Sequence, residues 1–390
     1  MKILQSTMIN KLIGIGLPVV LISQLSACST YDAVRIATSR NPGNAIESIA
    51  KSHVSNPVRL VNTLQQLSKL LSGNVDREWG RKERVLPSSH RYVKYTQNYK
   101  SRAIIDFDRG LINVETLDKE QPLASLHSAI VTTLLTPDDP RAVDLYSAKT
   151  IKLSGRPYLY GLVKNQHEHF IDHPKQAEAF ADHLIEKMLN KRSAQTSTGN
   201  KTVHSVHFRM VNDHENLRAK RYAPLVSHYS TRFGISRSLV YAIIKTESNF
   251  NPFAVSHAPA YGLMQLVPSS GGRDAFRKAK GKDHTPSPDY LFNAKNNIEL
   301  GVAYLNVLNY SYLKGISSPL SREYCTIAAY NTGAGNVLRV FSANRDQAKR
   351  IINSMPADKL YQHLRRHLRE AEARRYLAKV TEARRQFVNL

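Results

Sequence analysis

Apolar residues recur at helical spacing over residues 44–71, at Ile46, Ile49, Val54, Val58, Val61, Leu64, Leu67 and Leu71, and predict a first helix. Over 91–117 the period drops toward two. Ile104, Asp106 and Phe107 lead to Arg109-Gly110, and Leu111, Asn113, Glu115 and Leu117 follow, which predicts a hairpin with its turn at Arg109-Gly110. Helical spacing returns over 123–135 and 175–189. Strand-like pieces are expected at 150–153 and 202–211, the second after a polar loop over 193–200. From Asp213 onward nearly every segment has helical spacing, punctuated by Pro252, Pro259, Gly271-Gly272, Pro286-Ser287-Pro288 and Gly333-Ala334-Gly335. The pattern predicts an α+β domain over 44–212, followed by an all-α domain over 213–390.

The extreme N-terminus breaks this pattern. Lys2 and Lys11 precede an apolar run over 12–27, interrupted by Pro18, Ser23 and Gln24 and short for a membrane-spanning helix. It ends in Leu25-Ser26-Ala27-Cys28, which resembles the bacterial lipobox, where the cysteine becomes the lipid-bearing first residue of the mature protein. The resemblance implies a signal peptide over 1–27, lipidation and membrane anchoring at Cys28, and a tether over 28–43. Ser29, not Asp, follows the cysteine, which implies sorting to the outer membrane with the domains facing the periplasm. The alternative is an ordinary signal peptide followed by an accidental cysteine. The other cysteine, Cys325, lies in an apolar run and reads as a buried thiol, so no disulfide framework is expected.

Composition adds a constraint on partners. With 42% hydrophobic residues the 390-residue chain has enough apolar content for two packed domains. The net charge is +24, and 27 basic against 12 acidic residues fall from Glu215 onward. Such a field favours polyanions. Nucleic acid is the usual one, but the export signal argues against it. Arg365-Arg366, Arg369 and Arg374-Arg375 read mostly as a solvated basic face. His167-Glu168-His169 with His173 matches no metal-ligand spacing, and His363 with His367 lacks an accompanying carboxylate. No metal and no cofactor are expected.

The candidate chemistry centres on Glu247. Val240, Ile243, Ile244 and Glu247 fall at i, i+3, i+4 and i+7, so a helix here places the carboxyl on the apolar stripe. A carboxyl against apolar neighbours has its charged form disfavoured and its pKa raised, as a general acid near neutral pH requires. Pro252 cannot continue a helix and disfavours αR at Asn251, so the helix is expected to end just after Glu247. Gly262 removes a side chain and permits close approach to the backbone, and Gln265 supplies donor and acceptor.

Four segments together resemble the motifs of the family 1 lytic transglycosylases: Glu247-Ser248-x-Phe250-Asn251-Pro252, Gly262-Leu263-Met264-Gln265, Ala329-Tyr330-Asn331 and Glu372-x-Arg374-x-Tyr376. The resemblance implies a lysozyme-like, goose-type catalytic domain that cuts peptidoglycan glycan strands. It implies Glu247 as the single acid/base, with Ser248, Met264, Gln265, Tyr330 and Asn331 along the sugar groove and Tyr376 positioning Glu247. Plainer readings stand beside these. Leu263 and Met264 suit a core, Asn331 suits a helix C-cap before Gly333, Tyr376 suits a core aromatic, and Glu372 and Arg374 suit anchors of the last helix. Thr332 stands where the family often has Gly, and Tyr261 is bulkier than usual, so both bear on local loop or subsite shape. A goose-lysozyme-like hydrolase and a non-catalytic peptidoglycan-binding lipoprotein are the rival functions.

Overall fold

The computed structural model describes residues 57–256 and 260–388, with 57–66 by backbone alone. The expected signal peptide, Cys28, the tether and the start of the first predicted helix lie outside them. The first half is built on five antiparallel strands in the order β1-β2-β3-β5-β4. These are β1 Arg91–Thr96, β2 Ser101–Asp106, β3 Leu111–Thr116, β4 Asn190–Thr196 and β5 Gly199–Arg209. The predicted hairpin is β2–β3, with Ile105 opposite Ile112 and the turn carrying Phe107 to Gly110.

Alternation puts different residues on the two faces. Tyr92, Ile105, Ile112, Val114, Val206 and Phe208 face helices α2 (Pro122–Leu134) and α3 (Pro174–Met188). Val93, Tyr95 and Val203 face α1 (Pro57–Trp79) through Leu71, Val75 and Trp79. Helix α1 therefore continues past Leu71, because Val75 and Trp79 extend the buried stripe at i+4 and i+8.

Two expectations fail. Residues 150–153 form no strand; Ile151 is their one buried anchor, so no face alternates. The expected polar loop over 193–200 is the end of strand β4 and the start of β5, joined by a tight return at Ser197-Thr198. β4 is an edge strand with an exposed polar face, so its side chains look like a loop's while its backbone completes the sheet.

The second half is helical, as the spacing predicts: α4 His214–Arg221, α5 Ala223–Phe233, α6 Arg237–Ser248, α7 Arg273–Lys280, α8 Pro288–Phe292, α9 Ala294–Val307, α10 Pro319–Thr332, α11 Ala334–Arg339, α12 Arg345–Asn353, α13 Ala357–His367 and α14 Ala371–Gln386. Helix α9 is buried on most sides and forms the centre of the core. Gly271-Gly272 is no break; it lies in a π-helical turn that runs into α7. Cys325 is buried and free, and burial pushes its thiol up to about 12. Among the described residues no helix is long and apolar enough to cross a membrane.

Candidate active site

Helix α6 carries Val240, Ile243 and Ile244 fully buried, and Glu247 follows on the same stripe, half-buried in the last turn. The helix ends at Ser248, just after Glu247 as the sequence predicts, but what stops it is not Pro252: Asn249 (φ 45°) and Phe250 (φ 61°) both take the left-handed conformation. Asn tolerates that region; for a bulky residue such as Phe it costs about 1–3 kcal/mol and must be held by its surroundings.

Those surroundings come from both halves of the chain. The Phe250 ring is buried among Tyr222, Tyr241 and Phe387. Buried Arg218 of α4 donates to the Asn249 carbonyl and, at 2.8 Å, to the Phe107 carbonyl in the β2–β3 turn. The Asn249 amide donates to Phe107 O at 2.9 Å and to Asp108 Oδ1 at 3.0 Å. Asn251 Nδ2 donates to Ser89 O at 2.9 Å.

Glu247 itself receives one hydrogen bond from Tyr376 of α14, whose hydroxyl lies 2.7 Å from Oε1. Burial raises the Glu247 carboxyl to about 7; the Tyr376 hydrogen bond and the His90 charge oppose the rise, and the Glu372 charge adds to it. Burial also holds the Tyr376 hydroxyl well above its ordinary range, so it stays a donor. A carboxyl in this state is populated in both protonation forms near neutrality and is fit to give a proton and take one back.

The Gly262-Leu263-Met264-Gln265 segment is tied to the same turn. Ser248 Oγ donates to Leu263 O at 2.7 Å, and Tyr330 Oη donates to Met264 O at 2.8 Å. Gly262 has φ 70°, and a Cβ there would lie 2.5 Å from Asn297 Nδ2 and from Leu291 O. What approaches Gly262 is therefore Asn297, in place of the sugar expected from sequence. Asn297 clamps the loop: its Oδ1 accepts from Met264 N at 2.8 Å, and its Nδ2 donates to Tyr261 O and Leu291 O, both at 2.8 Å.

Of the predicted site residues, Glu247, Tyr376, Tyr330, Ser248, Met264 and Gln265 are brought together, but several act through backbone contacts. Ser248 and Met264 are fully buried, with the Met264 sulfur packed on Gly301. Gln265 (φ 45°) donates to Ala254 O at 3.2 Å and Gly262 O at 2.9 Å, while its Oε1 has no partner among the described residues. Asn331 is exposed and sits inside α10, which runs on to Thr332; Gly333 (φ 85°) ends the helix, so Asn331 is no C-cap. Thr332 keeps its helical place. Tyr261 is buried against Phe292, and both line a cavity with Tyr146 and Phe253. Arg374 donates to Arg369 O at 3.0 Å and anchors the start of α14.

Sequence reasoning missed Arg218, Asn297, Asn249 and the accessory-side groups His90 and Asp108. The one readable signal was Asn249, since Asn after a helix-end Glu-Ser pair is suited to a left-handed cap.

Comparison with known proteins matches this architecture in two pieces. Residues 58–221 match the family model described as membrane-bound lytic murein transglycosylase C, N-terminal domain, and residues 224–353 match the transglycosylase SLT domain. The chain is 45% identical to the membrane-bound lytic murein transglycosylase C of Pectobacterium atrosepticum over 84% of this chain and 90% of that one. It is 45% identical to the protein of the same name from Cronobacter sakazakii over 80% and 86%. A lytic transglycosylase Slt of Pseudomonas aeruginosa, an inactive mutant, aligns with 42% of this chain and 23% of its own at 24% identity and a TM-score of 0.33. With an α+β domain followed by a helical domain, and two family models that together span most of its length, the chain belongs to the membrane-bound lytic murein transglycosylase C family.

Proposed function

We propose that Glu247 is the single acid/base of a lytic transglycosylase that cleaves the β-1,4 bond between N-acetylmuramic acid and N-acetylglucosamine. Family membership makes the chain a lytic transglycosylase, a lyase acting on peptidoglycan. In the proposed reaction Glu247 donates its proton to the glycosidic oxygen as the C1–O bond breaks. The muramoyl C6 hydroxyl then attacks C1, and Glu247 takes the hydroxyl proton. One proton leaves and one returns, no water is consumed, and the product carries a 1,6-anhydro end. Most glycosidases divide this work between two carboxyl groups. The observation that carries the proposal is the Glu247 carboxyl, raised by burial to about 7 and partnered by a neutral hydroxyl. Tyr376 orients that carboxyl; Ser248, Met264 and Tyr330 fix the facing loop; Gln265 and exposed Asn331 are the proposed sugar contacts.

The test is cleavage of purified sacculi in ¹⁸O-water with mass spectrometry of the released muropeptides. Unlabelled anhydro ends are expected; labelled reducing ends would move the protein to the lysozyme-type hydrolases. We further propose that Cys28 carries the lipid that holds the enzyme at the periplasmic face of the outer membrane, where it serves cell-wall remodelling. Cys28→Ala is expected to abolish lipid labelling, and normal labelling would refute the anchor.

A further inference from the structure

The accessory domain reaches the catalytic helix through a histidine that the proposed reaction does not use. His90, just before β1, places Nε2 3.0 Å from the Thr246 carbonyl, in the last turn of α6. Its Nδ1 lies 2.8 Å from Asp108 Oδ1. Both partners are acceptors. A neutral imidazole has one N–H to give, so only the imidazolium satisfies both contacts. Thr246 O is one of the last carbonyls of α6, which lack intrahelical donors and mark the negative end of the helix dipole. A cation there is at a favoured place, one residue from Glu247.

We propose that the His90–Asp108 pair is a positioning element of the catalytic centre: it caps the helix that carries Glu247 and fixes the pH range over which that carboxyl works. The proposal rests on Glu247 being the acid/base. The contacts around it agree. Asp108 also accepts from Asn249, so the same carboxylate holds the histidine and the left-handed turn after Glu247. Burial disfavours charge on His90, but Asp108 and the Thr246 carbonyl outweigh it and the net shift is upward. Other charges face the pair across a cleft of about 510 Å³: Lys245, Lys379 and Glu382. Lys379 opposes the His90 charge. Lys245 is engaged by Glu215 and, at 2.6 Å, by Gln386. Around Glu247 the remaining groups are Tyr376, Tyr330 and Glu372.

The sign follows. The His90 charge lowers the Glu247 pKa. His90→Gln removes that charge, while Asn249 and Arg218 still hold Asp108, so the Glu247 pKa rises. A general acid loses activity as pH rises through its pKa, so the basic limb of the pH–kcat/KM profile moves to higher pH, by roughly half a unit. His90→Lys retains a cation and brings the limb back toward its wild-type position. Asp108→Asn removes the carboxylate that holds the proton on His90; the imidazole then becomes neutral at lower pH and no longer lowers the Glu247 pKa near neutrality, so the limb moves in the same direction as in His90→Gln, by less, and carries the test if the latter melts early. The experiment is the pH profile of glycan cleavage by the full chain and these variants, with melting curves and Glu247→Gln alongside. A uniformly lowered kcat with an unmoved limb in His90→Gln and Asp108→Asn would reduce the pair to structural support and overturn the proposal. So would wild-type profiles beside an inactive Glu247→Gln, whereas an active Glu247→Gln would overturn the acid/base reading itself.

Discussion

Glu247 and Glu299 are two carboxyl groups taken out of water in the same helical domain, and they are built for opposite ends. Glu299 lies in α9 and is buried, yet each of its oxygens meets a cation: Arg232 Nη1 at 2.8 Å and Lys280 Nζ at 2.7 Å. Glu247 meets a hydroxyl, and His90 beside it touches the neighbouring carbonyl instead of the carboxyl. Burial alone therefore does not make an acid. Burial without a directly paired cation does, because nothing compensates the lost hydration of the charged form.

The strongest break of this comparison is at Glu247. Glu247→Gln keeps the shape and the Tyr376 contact but removes the proton. General acid/base assistance is worth about 10²–10⁴-fold, and with both roles on one residue the loss in kcat is expected at the upper end or beyond. Near-full activity would remove the mechanism. Tyr376→Phe leaves the carboxyl in place and deletes only its donor, so its loss is expected to be smaller, about tenfold, with the fold intact.

Glu299 sharpens the contrast from the other side. Its ion pairs make it a structural carboxylate. Glu299→Gln strands Arg232 and Lys280 beside a neutral amide. Breaking a fully buried pair costs about 3–5 kcal/mol. Both cations here are partly exposed and rehydrate, so about 2 kcal/mol is expected, read as a lower denaturation midpoint. The folded fraction should retain wild-type kcat, and a loss of kcat without a loss of stability would show Glu299 to be more than a strut.

How far the sequence disclosed this depends on how far apart the partners lie. The stripe Val240, Ile243, Ile244, Glu247 is a local pattern, and the structure buries its three apolar members in full. The β2–β3 hairpin is equally local. β4 escaped because an edge strand with polar side chains has a loop's composition, and its pairing with β5 is invisible to a periodicity of side chains. Met264 fits its core reading, but the neighbour of Gly262 was misjudged for a related reason: Asn297 comes from α9, and a polar residue within a helical run carries no mark of the loop it will clamp. His90 and Arg218 are further still from legibility. A lone histidine before a strand and one arginine in a basic helix have no pattern, and only the packing of the two domains gives them their partners.

The smallest expected effect separates chemistry from stability at the same residue. The Glu247 pKa is about 7 in the folded protein against an ordinary carboxyl value near 4.5. The folded state thus binds the proton more tightly than the unfolded one. Its stability relative to an uncharged side chain is highest at low pH and declines as pH rises from about 4.5 through 7, where the folded carboxyl ionises. Glu247→Gln has no proton to lose. Its Tm should match the wild type near pH 4 and exceed it at pH 8, by a margin on the order of 1 kcal/mol, because the half-buried carboxyl regains some water. Glu299→Gln is destabilised for a different reason, the loss of its two ion pairs. If Glu247→Gln melts lower than wild type at pH 8, the fold stabilises the Glu247 carboxylate as it stands, and the distinction between the two sites disappears.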